Sequence, residues 1–257
     1  MIELTPAALS QAATLAGAGL ASGYINTLAG GGSLLTVPLL IMLGLPAERA
    51  NATNRVCVLG QSIMGAHDFR RAGQLDSSQL VRIVVLTGTG AALGALTAAW
   101  LPPRWFHWLI LATMSLMATL MLVKKDFLRP HAHGKEIMRL QQAPRQAVAL
   151  WFTGFYGGFL QAGVGLLLLW VLVEGLHYSL NGANAIKTVV TGTYTVVALA
   201  IFVYYDLVDW LPGLWLTVGT LAGARLAVRS SLTMNPDTLR RLVLSAVLLT
   251  LVAAATR

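Results

Sequence analysis

Two glycine clusters interrupt otherwise apolar sequence: Gly30-Gly31-Gly32-Ser33 and Gly163-Val164-Gly165. Glycine breaks a helix and lets backbone or ligand approach closely. A helix that restarts after such a break presents free N–H groups and the positive end of its dipole, which suits an anion. Gly30, Gly31, Gly32, Ser33, Gly163 and Gly165 are therefore candidate binding positions, although the same glycines could serve only as close helix contacts. The second set is polar. Asn51 and Asn54 lie three residues apart on one helix face, with Arg55 adjacent. Asn184, Lys187, Thr188, Thr191 and Thr195 recur at helical spacing as a polar stripe on an apolar segment. Lys187 stands out, because an ionisable group in a membrane helix is costly and defaults to a functional role. From a helix end it could instead snorkel to an interface. Arg55 divides between interface anchor and ligand. Asn26 and Gln161 precede the two glycine clusters and are placed to line one cavity with Asn51, Asn54, Asn184 and Lys187.

These residues sit in segments that only a bilayer would solvate. Of 257 residues, 56% are apolar and 11% charged, against about 25% charged in soluble domains. Mean hydropathy is +0.69. Roughly ten apolar segments follow along the chain, over 9–29, 34–45, 52–69, 81–100, 105–123, 147–162, 166–176, 185–205, 211–228 and 239–255. The second and seventh are short, about 18 Å as helix, and could be re-entrant rather than spanning. The N-terminus has no basic region ahead of its first apolar stretch, so that stretch is expected to remain as a helix. The expected fold is an all-α polytopic integral membrane protein.

The halves resemble each other. Gly30 to Leu35 aligns with Gly163 to Leu168, and Ala50-Asn51-Ala52-Thr53-Asn54 with Ala183-Asn184-Ala185-Ile186-Lys187, both at an offset of 133. Gly90 to Ala95 aligns with Gly219 to Ala224 at an offset of 129. The division is residues 1–123 as one membrane repeat, 124–145 as a basic cytoplasmic linker and 146–257 as the second repeat. Each repeat would hold about 4–5 helices, with breaks or re-entrant segments at the glycine clusters. Charge sets the orientation. With the linker in the cytoplasm, 13 of 18 basic residues fall inside, including Arg70, Arg71 and Arg82, while Arg49, Arg55, Arg104 and Arg257 fall outside. Both termini are then outside, and an odd number of crossings per half makes the repeats inverted, as in many secondary transporters.

The net charge of +8 is read as cytoplasmic-loop charge, not as a nucleic-acid surface. The expected partners are the lipid bilayer and a small anionic substrate. No cofactor is expected, and no metal site, since His131 and His133 lie in the linker without further ligand spacing. Proton coupling is the natural guess, with Glu174 the one acid near a helix end able to relay protons. No phosphate-binding GxxxxGK[ST] motif occurs. An intramembrane enzyme needs a converging nucleophile and base. Cys57 and His67 are ten residues apart, about 15 Å along a helix and too far to pair. A channel, or a transporter of an unrelated solute, is the alternative; few intramembrane carboxylates argue against a cation.

On these motifs the chain resembles the TauE/SafE family of sulfite and organosulfonate exporters. The likeness lies in Gly23-Tyr24-Ile25-Asn26-Thr27-Leu28-Ala29-Gly30-Gly31-Gly32-Ser33-Leu34-Leu35-Thr36-Val37-Pro38, in Ala50-Asn51-Ala52-Thr53-Asn54, and in Gly154-Phe155-Tyr156-Gly157-Gly158-Phe159-Leu160-Gln161-Ala162-Gly163-Val164-Gly165. It covers most of the chain. Family members often carry glycine where Gln161 stands, a departure that alters a pocket wall. The resemblance implies export of sulfite, a sulfonate or a related sulfur anion across a bacterial-type inner membrane, by alternating access of one repeat against the other.

Overall fold

The computed structural model describes residues 6–123, 136–230 and 245. The expected segment 239–255, apart from residue 245, and most of the linker lie outside the described residues. Nine α-helices are described: α1 (Pro6–Ala29), α2 (Ser33–Met42), α3 (Ala47–Arg71), α4 (Leu80–Trp100), α5 (Pro103–Val123), α6 (Pro144–Phe159), α7 (Val164–Trp170), α8 (Leu180–Tyr204) and α9 (Trp210–Ser230). A 3-10 turn (Leu140–Gln142) precedes α6, and a π turn (Val171–Gly175) extends α7. No strand is present among the described residues. Leu80–Trp100, Leu180–Tyr204 and Trp210–Ser230 are long and apolar enough to cross a bilayer. α3 is as long, but Asn51, Asn54, Arg55 and Gln61 lower its hydropathy, and all four are turned inward.

Local chemistry explains the boundaries. Pro144 opens α6 at a position where the missing N–H costs nothing, so the last two residues of the expected linker are already helical. The Ser179 hydroxyl caps α8 by accepting from the Gly182 N–H at 3.2 Å. α1 and α7 are flanked by left-handed glycines, Gly30 at φ +79° and Gly163 at φ +76°. These φ values are open to glycine without steric cost, and they are the breaks the sequence motif foretells. α6 stops at Phe159, three residues before the expected end of its segment.

Packing is built on four glycine pairs. α1 lies along α9, and α6 along α4. Gly19 and Gly23 of α1 face the carbonyl oxygens of Leu216 and Thr220, while Gly219 and Gly223 of α9 face those of Ala16 and Leu20. The other helix pair repeats the pattern: Gly90 and Gly94 against Trp151 and Phe155, Gly154 and Gly158 against Thr87 and Ala91. In each case a Cβ would collide with the partner's backbone. Helix association in lipid gains from such close backbone approach, having no hydrophobic drive between apolar surfaces. α3 packs against α8; α3 also contacts α9, and α8 also contacts α4.

The polarity of the bundle is reversed relative to a soluble protein. Val81, Trp108, Phe152 and Val218 are exposed, whereas Asn54, Arg55, Gln61 and Lys187 are buried. Polar side chains gathered inside and apolar ones outside fit a lipid solvent. At one end, Arg49 of α3 donates to both carboxylate oxygens of Asp209 at 2.8 and 2.9 Å and to the Asp206 carbonyl at 2.8 Å. At the end where α3 stops, Gln79 holds the segment before α6: its Nε2 donates to the Met138 carbonyl and its Oε1 accepts from the Leu140 N–H.

Candidate functional site

The two helix breaks meet. A Cβ on Gly30 would fall on the Gly165 backbone, and one on Gly165 would fall on Gly30. Beside this contact lies a cavity with about 20 Å³ open to the centres of water-sized molecules, room for one or two waters. Gly30 and Ser33 line it from the first break, Gln161, Val164 and Gly165 from the second. Asn26 and Thr27 come from α1, Gln61 and Ser62 from α3, and Lys187, Thr188 and Thr191 from α8. No carboxylate lines it.

Lys187 is 3% exposed, so it does not snorkel to a surface. Its Nζ donates to the carbonyls of Asn26 and Thr27, each at 2.9 Å, and to Asn184 Oδ1 at 2.8 Å. Three acceptors around Nζ match the three N–H donors of an ammonium. The two carbonyls belong to the last turn of α1, and that of Asn26 also accepts from the Gly30 N–H at 2.8 Å. Lys187 therefore caps α1 and neutralises the negative end of its dipole.

Arg55 does the same for α6. It is fully buried, and its Nη1 and Nη2 donate to the carbonyls of Gly157 and Gly158 at 2.5 and 2.8 Å. Its guanidinium lies 5.3 Å from the Phe202 ring centroid, within cation–π range. Asn51 Nδ2 donates to the Phe159 carbonyl at 2.9 Å. The counting of Arg55 among boundary residues is thus corrected: it is a core residue. The two capping sets are reciprocal, with α8 capping the end of α1 and α3 capping the end of α6. Asn26 and Phe159, like Asn51 and Asn184, are 133 residues apart.

Asn54 stands apart from the cavity lining. It accepts from Thr36 Oγ1 at 2.6 Å and donates to Ser33 Oγ at 3.0 Å, locking α2 to α3. The start of α2 is also largely satisfied. Gly32 N–H donates to Asn26 Oδ1, Leu34 N–H to the Gly31 carbonyl, and Leu35 and Thr36 N–H to the Gly32 carbonyl. The break therefore offers an anion fewer free amides than a bare helix start would.

Of the positions expected from sequence, Gly30, Ser33, Gly165, Lys187, Asn26 and Gln161 come together at the cavity. Asn184 reaches it through Lys187. Gly31, Gly32 and Gly163 form the turns beside it, and Asn51 and Arg55 serve the α6 end. Thr27, Gln61 and Ser62 were not foreseen. Ser62 lies 133 residues before Thr195, so extending the α8 stripe into α3 would have found it.

A helical bundle with an apolar surface and a buried polar cavity is the build of a membrane transporter. The family model described as sulfite exporter TauE/SafE matches residues 15–254, and the chain belongs to that family. It is 27% identical over 230 residues to a probable membrane transporter protein of Haemophilus influenzae, covering 88% of this chain and 87% of that one. It is also 27% identical over 224 residues to the probable membrane transporter protein YfcA of Escherichia coli, covering 86% and 81%. A probable membrane transporter protein, ORF9, of a Sinorhizobium species is 23% identical over 225 residues, covering 86% and 84%. No solved structure matches the chain.

Proposed function

We propose that the chain is a secondary transporter that exports a small anion, sulfite or an organosulfonate, by alternating access. One observation carries the anion: the cavity is lined by a Lys187 ammonium and by no acid. Among the described residues, Lys187 and Arg55 are buried cations and no Asp or Glu is buried. Each cation faces a helix C-terminus worth roughly half a negative charge. The interior therefore keeps an excess of positive charge, which an anion would neutralise and a cation would aggravate.

Two inverted repeats, residues 1–123 and 146–257 joined by the basic segment 124–145, account for the paired features. α1 packs on α9 as α6 packs on α4, and the capping is reciprocal. Motion of one half against the other would open the cavity alternately to each side. The orientation follows from the basic residues, with the linker in the cytoplasm and both termini outside a bacterial-type inner membrane. A proton is the proposed coupling ion. Neither a cofactor nor catalysis is part of this proposal.

The test is thermal stabilisation of the purified protein by sulfite, sulfate, sulfoacetate, taurine, lactate and chloride. A ligand of the folded state raises the transition by mass action. A shift with sulfite or a sulfonate supports the reading; a flat response to every anion contradicts it.

A further inference from the structure

Two glutamines of the cavity lining carry unmet side-chain acceptors. Gln61 and Gln161 both line it, at 3% and 2% exposure. Their side-chain carbonyl oxygens, Gln61 Oε1 and Gln161 Oε1, have no hydrogen-bond partner. The nearby ammonium cannot serve them, because all three Lys187 protons are already donated. A buried acceptor without a donor is costly, and such groups in native proteins call for a reason.

Gln161 adds a second irregularity. Its φ is +58°, in the left-handed region that side-chain-bearing residues seldom occupy. The turn around it is fixed by the Gln161 N–H on the Tyr156 carbonyl at 3.2 Å and the Val164 N–H on the Gln161 carbonyl at 3.1 Å. Its Nε2 donates to Thr195 Oγ1 at 3.3 Å, which leaves Oε1 as the unpartnered atom of the amide. The position 133 residues earlier is Leu28, a buried apolar residue inside α1. The two breaks are thus unequal, and the unequal residue is a polar one at the cavity. Observed backbone strain at a ligand cavity points to a functional demand.

We propose that the cavity selects a small oxyanion carrying a hydrogen-bond donor of its own, whose hydrogen is taken by the carbonyls of Gln161 and Gln61. This rests on the anion reading above. Lys187 supplies the positive field, and the glutamines read the protonation of the ligand. An acceptor facing a bare anionic oxygen repels it, and neither group is satisfied. Facing an S–OH, C–OH or N–H, the same acceptor gains a hydrogen bond. A site built this way rejects the fully deprotonated anion of the same shape, because a buried acceptor is then left unpaired.

The experiment compares anions matched in charge and shape, by calorimetric binding to the full-length purified chain. Bicarbonate and nitrate, at mildly alkaline pH, are planar monoanions that differ by one donor. Bisulfite and chlorate, at mildly acidic pH, form the pyramidal pair. The quantity read is the ratio of dissociation constants within a pair, in wild type, Gln161→Gly and Gln61→Met. Differences in hydration of the free anions cancel when ratios are compared between variants. Wild type is expected to favour the donor-bearing member, and each variant to cut that preference by about tenfold. Gln161→Gly suits the left-handed backbone, and Gln61→Met keeps side-chain length; if either variant does not fold, the other decides. A preference for nitrate and chlorate, or a ratio unchanged in a folded variant, overturns the proposal and leaves the anion reading standing. Binding of none of the four anions overturns both.

Discussion

Replacing Lys187 by methionine separates its two roles. Methionine preserves most of the apolar stem while removing the charge and three hydrogen bonds. Two α1 carbonyls and Asn184 Oδ1 are left without that donor. In water, hydrogen bonds to a charged group contribute about 1.5–3 kcal/mol each. In bilayers interhelical bonds average about 0.6 kcal/mol and reach about 1.7. The membrane figures govern here: three bonds come to about 2–5 kcal/mol, and relief of the buried charge offsets part of that, so the substitution should cost about 1–4 kcal/mol. Asn184→Ala removes one of the three acceptors and should cost about 1 kcal/mol. Reversible unfolding in mixed micelles measures both. The electrostatic role is read from anion affinity in the surviving folded protein. An anion about 5 Å from Nζ, at an effective dielectric near 20, gains about 3 kcal/mol, or roughly a hundredfold in Kd. A folded Lys187→Met protein that binds anions as tightly as wild type would show that the ammonium is only a helix cap. An unchanged stability would refute the capping argument instead.

Other expectations follow from single positions. Gly30→Ala should cost more than about 3 kcal/mol, because it combines positive φ with collision against Gly165. Gly44→Ala, also at positive φ but with open space around its Cβ, should cost only the backbone term of about 1–2 kcal/mol; equal losses on chemical denaturation would deny the close approach. Gly154→Val should disrupt α4–α6 packing and lower folded yield, whereas Gly17→Ala, which meets nothing within 4 Å, should be neutral or stabilise by about 0.5–1 kcal/mol. Size-exclusion profiles and thermal scans distinguish these outcomes. Asp209 is held below its ordinary range by the hydrogen bond from Arg49. Its contribution is therefore complete above the unfolded carboxylate pKa of about 3.9 and is lost as pH falls through the lower folded value. The pair is part-exposed, so the effect is at most about 1 kcal/mol; an acid unfolding profile that Arg49→Ala leaves unaltered would exclude it.

The helix breaks were legible because glycine clusters stand out in apolar sequence, and Gly30 and Gly163 do carry the left-handed turns. Lys187 was legible as an anomaly, but its partners were not: they are backbone carbonyls about 160 residues away, and a carbonyl has no sequence signature. Arg55 stayed divided between interface anchor and ligand for a related reason. A charge in an apolar segment suggests an interface, whereas here the Gly157 and Gly158 carbonyls at the buried end of α6 give it partners inside the bundle. Gly90, Gly94, Gly219 and Gly223 were visible as markers of a repeat. Their use as contact surfaces became clear only with the partner carbonyls of α6 and α1 in place. Gln61 escaped notice because the polar face of α3 was followed only to Arg55, and a glutamine six residues on carries no charge to draw attention.

Transport itself tests the central claim most directly. Proteoliposomes loaded with unlabelled sulfite and diluted into trace radiolabelled sulfite should accumulate label transiently above its equilibrium level, and Lys187→Met should abolish that overshoot. A carrier exchanging anions through one cavity predicts this counterflow. Label that only equilibrates passively, or fails to enter with any of the sulfur anions tested, would contradict it.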